Sequence, residues 1–152
     1  MIVTRVEDEE LLYRAVRADR DQFTAERGVL RITVNAFGDR VQKPSVDRSA
    51  YRPDPRETRF RKEDGVTSIV TREVRAIVNI PARPADPTND SNYAVDAIHR
   101  PIAKSVETPN GNPAHCQIEC EPAITSNHYK KLKEALAFLA TKRGWAVEPG
   151  SK

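Results

Sequence analysis

The sequence predicts an α+β fold: a small, mainly antiparallel sheet with a middle helix and a C-terminal helix, joined by long proline-rich connections. Three features point to it. Short segments alternate apolar and polar residues, one strong helical stripe lies near the C-terminus, and eight of the eleven prolines fall between Pro44 and Pro109. Each proline removes a backbone donor and fixes a dihedral, so the middle of the chain should be turn-rich and extended.

The opening, 6–23, carries two signals. Leu11, Leu12, Ala15 and Val16 fit a helical stripe behind Glu7 to Glu10, whereas 12–17 also alternates as a strand does, so a short helical or extended opening should lead into a strand. In 28–37, Leu30, Ile32 and Val34 alternate with Arg31, Thr33 and Asn35, which predicts a half-buried strand stopped by Gly38-Asp39. The segment 41–63 has prolines at 44, 53 and 55 and almost no apolar residues, and reads as a long loop. Val66, Ile69, Val70, Val74, Ile77 and Val78 then recur at helical spacing, and the periodicity predicts a helix over 66–78 despite the β-branched content. A second proline-rich connection spans 81–92, and strands follow at 93–98 and 114–120, giving about four strands in all. Finally, Tyr129, Leu132, Leu136 and Leu139 form one apolar stripe of a helix over 127–143, capped by Ser126 or Asn127 and stopped by Gly144. Trp145 and Val147 should fold back onto the core.

A chain of 152 residues with 38% hydrophobic and 31% charged content is sized for a single domain, 1–152, with one modest core beneath a charged surface. No apolar run of about 18 residues exists to span a bilayer, and the start has acids where a secretory signal would be apolar, so a cytoplasmic protein is expected. Cys116 and Cys120 lie on one predicted strand, where same-face Cα atoms four residues apart stand ~13 Å from each other. A disulfide needs less than about 7 Å, which favours free thiols. The net charge of +3 selects no partner class by itself, because binding is argued from clustering.

The clustering that stands out is Arg48, Arg52, Arg56, Arg59, Arg61 and Lys62 with Tyr51 and Phe60 interleaved, opposed within the interval only by Asp54 and Glu57. Guanidinium forks clasp phosphates and carboxylates, and aromatics stack on bases, so this composition suits an anionic or nucleic-acid surface. The alternative is a solvated loop, since Pro53 and Pro55 oppose a helix that would align the charges. His99, His115 and His128 with the two cysteines are zinc-type residues, but their spacing matches no paired-ligand pattern, and no metal is expected.

Two resemblances extend this reading. Arg14 on a first strand, Thr33 on a middle strand and Glu119-Cys120-Glu121 on a late strand resemble the three-part signature of ADP-ribosyltransferases. That likeness implies a nicotinamide dinucleotide (NAD) cofactor oriented by Arg14, a pocket shaped at Thr33, and Glu121 as the catalytic acid; Asn35 and Pro122 depart from the pattern. Separately, Ala36-Phe37-Gly38-Asp39, Ser45-Val46-Asp47-Arg48 and Asn112-Pro113-Ala114-His115 resemble a family of small uncharacterised bacterial proteins, over about residues 12 to 143. This implies a bacterial intracellular origin and no mechanism. Physically, Ser45 and Asp47 read as turn-capping residues and Asn112-Pro113 as a turn that leads His115 into a strand.

The expectation for function is therefore a non-catalytic accessory or binding module without a cofactor. It would contact an anionic, nucleic-acid or protein partner through Arg48, Tyr51, Arg52, Arg56 and Arg59, with the neighbourhood of His99 and His115. The alternative is a transferase using Arg14, Thr33 and Glu121.

Overall fold

Leu, Lys and Ala make up most of 126–143 and favour a helix there, whereas 65–70 is rich in β-branched residues and favours a strand. A computed structural model describes residues 5–82 and 92–151, and its class is α+β. Most of the 81–92 connection lies outside the described residues. A six-stranded antiparallel sheet has the order β6-β7-β4-β1-β5-β8. Its strands are β1 (Leu11–Val16), β4 (Ser45–Arg48), β5 (Gly65–Val70), β6 (Ala94–His99), β7 (His115–Glu121) and β8 (Trp145–Val147). β2 (Phe23–Glu26) and β3 (Val29–Ile32) make a separate hairpin, turning on Arg27 and Gly28, whose φ values of 54° and 75° fit a primed two-residue turn.

Alternation along β1 assigns the two faces of the sheet. Leu12 and Val16 join Val46, Ile69, Cys116 and Ile118 in the main core, which α2 (Ser126–Arg143) closes with Tyr129, Leu132, Leu136 and Ala140. Tyr13 points the other way and packs with Val66 and Val147 in a smaller cluster. This second face is only partly covered, and it carries the cleft described below.

Several elements differ from the sequence reading. The expected 66–78 helix is strand β5 followed by a short helix, α1 (Thr71–Arg75). β5 lies between β1 and β8 and buries Val66 and Ile69 on opposite faces, so its apolar residues lose the alternation that marks a half-exposed strand. The expected 28–37 strand ends at Ile32, and Val34–Phe37 forms a 3-10 turn that buries Ala36 and Phe37 beneath α2. The long loop 41–63 holds an interior strand, β4, and a 3-10 turn at Pro55–Thr58. Among the described residues there are accordingly six strands in the main sheet and two in the hairpin, more than the four expected.

The remaining elements follow the pattern read from the sequence. β1, β6 and β7 lie within a residue or so of their expected positions, and α2 ends at Gly144 (φ 76°), after which Trp145 and Val147 return to the sheet as β8. The residue at the N-cap of α2 is Thr125, without a side-chain cap bond, where Ser126 or Asn127 was expected. Among the described residues, no helix is long and apolar enough to cross a membrane.

Candidate functional site

β4 has only one fully apolar residue, Val46, and is held in the sheet by polar partners. Asp47, 7% exposed, accepts from Arg52 Nη1 (2.9 Å) and Thr58 Oγ1 (2.8 Å) on one carboxylate oxygen, and from Asn112 Nδ2 (2.9 Å) on the other. These bonds fold segment 49–64 over the open face of the sheet and tie it to the turn before β7. The result is a cleft of about 470 Å³.

The floor of the cleft is Tyr13 and Ala15 of β1, Ser45 and Asp47 of β4, and His115 of β7. Tyr13 pairs with Asp47, and Asp47 with His115, so the three lie in one row across adjacent strands. Thr58, Arg59 and Phe60 form the wall, Ile102 and Asn112 one rim, and Arg17, Arg20 and Gln22 another. Five arginines, Arg14, Arg17, Arg20, Arg52 and Arg59, line the cleft against the two acids Asp47 and Glu57.

Their surroundings differ. Arg14 donates to three backbone carbonyls, from Nε to Ala36 (2.8 Å), Nη1 to Ser45 (2.7 Å) and Nη2 to Gly38 (3.0 Å). Burial lowers its pKa, with Tyr129 and Asp39 acting against that. Arg59 likewise donates to carbonyls, those of Arg56, Lys62 and Ser151. Arg52 is paired with Asp47, and Arg17 lies 3.5 Å from Asp64 with its guanidinium 5.4 Å from the Phe60 ring centroid.

Of the residues expected to bind a partner, Arg52, Arg59 and His115 line the cleft and the others do not. Arg48 is 1% exposed, which corrects the expectation that it is available. Its Nε and Nη2 grip both oxygens of Glu10 (2.9 and 2.8 Å), and Nη2 also reaches the Arg5 carbonyl. A bidentate carboxylate neutralises a buried guanidinium and raises its pKa, against the desolvation that lowers it. Tyr51, 37% exposed, has its ring under the Arg48 guanidinium (4.9 Å) and stacked on His99 (5.3 Å, 18°), away from the cleft. Arg56 is exposed but paired with Asp54 at 3.1 Å. The basic run is thus divided, and sequence proximity did not put its charges on one surface.

The transferase-type residues are not brought together. Arg14 is committed to carbonyls beside Ser45, and the Thr33 hydroxyl donates to the Asp21 carbonyl (2.7 Å). Glu121 ends β7 four residues beyond Gln117, the partner of Ser45, which is roughly 13 Å along the strand. It does not line the cleft.

Cys116 and Cys120 are free thiols, pushed by burial up to about 12 and about 11 respectively, which leaves them protonated and poor ligands or nucleophiles near neutral pH. Among the described residues, no group of three or more His, Cys, Asp or Glu is placed to hold a metal.

Sequence reasoning missed Arg17, Arg20, Ser45, Asp47 and Asn112 as site residues. A signal was present in two segments noted for their resemblance, Ser45-Val46-Asp47-Arg48 and Asn112-Pro113-Ala114-His115. They pair across β4 and β7, with Val46 opposite Cys116 and Asp47 opposite His115. No family model matches the chain, and no match was found among curated proteins or solved structures.

Proposed function

We propose that this protein is a binding module for an anionic ligand, held in the cleft between the sheet and segment 49–64. The observation that carries the reading is the charge of the lining: five arginines against two acids, an excess of three. Asp47 is further occupied by Arg52, Thr58 and Asn112, which leaves Glu57 as the one acid of the lining with a freer carboxylate. Phosphate or carboxylate oxygens entering there meet guanidinium groups already ordered by backbone carbonyls, so little side-chain entropy is lost on binding.

Thermal denaturation with added tripolyphosphate tests this, because a ligand that binds only the folded state raises the melting temperature by mass action. At millimolar tripolyphosphate we expect a rise that shrinks as salt increases and is strongly reduced in an Arg20→Ala/Arg59→Ala variant. An unchanged melting temperature, or a rise that the double variant retains in full, contradicts the reading. NAD at the same concentration reads the transferase alternative, and a short DNA or RNA duplex reads the nucleic-acid one.

A further inference from the structure

His115 is the first residue of β7 and Ser45 the first of β4, on adjacent antiparallel strands, and both side chains line the cleft. His115 Nδ1 lies 2.7 Å from the Arg100 carbonyl oxygen, and Nε2 lies 3.0 Å from Ser45 Oγ. A carbonyl only accepts, so Nδ1 carries the proton. In the neutral ring Nε2 then presents its lone pair, and the Ser45 hydroxyl donates to it. A nucleophile, a base, and a third group that fixes the tautomer of the base are the parts of an activated serine.

The arrangement is rigid. The Arg100 N–H donates to the His115 carbonyl (3.0 Å), so the two residues are joined in both directions, and Arg14 clamps the Ser45 carbonyl. Asp47 is not the orienting acid, since its oxygens are taken by Arg52, Thr58 and Asn112. The backbone of Arg100 fills that role.

We infer that Ser45 is a nucleophile activated by His115, and that the cleft hydrolyses esters carrying a carboxylate or phosphate group. The choice of an anionic substrate rests on the binding reading above; the reactivity of Ser45 does not. In the first step Ser45 Oγ forms a bond to the ester carbonyl carbon while its proton passes to His115 Nε2. The carbon–oxygen bond to the alcohol breaks, and the leaving alkoxide takes that proton, giving the free alcohol and an acylated Ser45. Water then loses a proton to Nε2 and attacks the acyl carbon; Ser45 leaves with the returned proton and the carboxylic acid is released. Arg14, whose Nη1 donates to the Ser45 carbonyl (2.7 Å), fixes the backbone that carries the nucleophile.

A neutral ethoxy fluorophosphonate, which loses fluoride to a reactive serine, tests the nucleophile without needing the anion site. Intact-mass and peptide analysis should give one adduct, on Ser45, absent in Ser45→Ala and formed about 100-fold more slowly in His115→Gln. Mapping the adduct in the unaltered protein identifies the residue even if a variant misfolds. No adduct, an adduct on another residue, or an undiminished rate in a folded His115→Gln protein overturns the inference. Comparing kcat/KM for p-nitrophenyl acetate and mono-p-nitrophenyl succinate tests the substrate class. Preference for the succinate supports it, and equal values remove the anionic class while an adduct on Ser45 would still stand.

Discussion

Arg48 and Arg56 belong to one basic run, yet one is sealed against Glu10 and the other lies in water beside Asp54. Removing the buried guanidinium strands Glu10, whose side chain is 8% exposed. Arg48→Met should therefore destabilise by about 3–5 kcal/mol in urea denaturation, and adding Glu10→Leu should recover much of that loss. Arg56→Met, at an exposed pair, should change stability by less than about 1 kcal/mol. His99, beneath the same cluster, has its pKa lowered by burial and then by the Arg48 cation, with Glu10 opposing. The unfolded chain consequently takes up a proton before the folded one does as the pH falls. Stability is fully present above the ordinary histidine value of about 6.5 and is lost as the pH drops below it towards the folded-state value. Melting temperature should fall between about pH 7.5 and about pH 5 more steeply in the natural protein than in His99→Gln. Equal slopes would contradict this.

At the scale of elements, α2 and β5 mark the two ends of what the sequence made legible. α2 exposes one side to water, so Leu132 and Leu136 recur with the helical period and Gly144 ends it. Leu136→Ala should cost about 2–5 kcal/mol through the cavity left against the sheet, whereas Phe138→Ala, at a 57% exposed position, should change stability by less than about 0.5 kcal/mol. β5 is buried on both faces, so its apolar residues follow no strand alternation, and their chance helical spacing prevailed. Its first residue, Gly65, has no room for a side chain: a Cβ there would lie 2.6 Å from Trp145 Cζ3 and 3.0 Å from the Pro149 ring. Gly65→Ala should destabilise by about 1–3 kcal/mol by displacing β8. β4 could not be seen at all from apolar periodicity, because Asp47 and Arg48 are fixed by partners distant in sequence. The same cause hid the cleft: His115 and Arg52 were visible as residue types, but the contact of Ser45 with His115 exists only once β4 and β7 pair.

For the molecule as a whole, a formal charge of +3 is small, but its distribution is uneven. The cleft lining alone carries five arginines and two acids, an excess equal to the whole formal charge, so the rest of the chain balances to zero. Concentrating the excess in one concave site focuses its field in a way that the total does not reveal. The helix-backed face supplies a rigid platform of buried Leu, Ile and Val, and the opposite face presents the charged cleft. Amide chemical-shift mapping during titration with tripolyphosphate reads this division most directly. Shifts should concentrate in β1, at Ser45 to Asp47, along 52–60 and at Asn112 to His115, and should weaken as salt is raised. Shifts confined to α2 and the β2–β3 hairpin, or absent at millimolar ligand, would contradict the assignment of the cleft as the binding site.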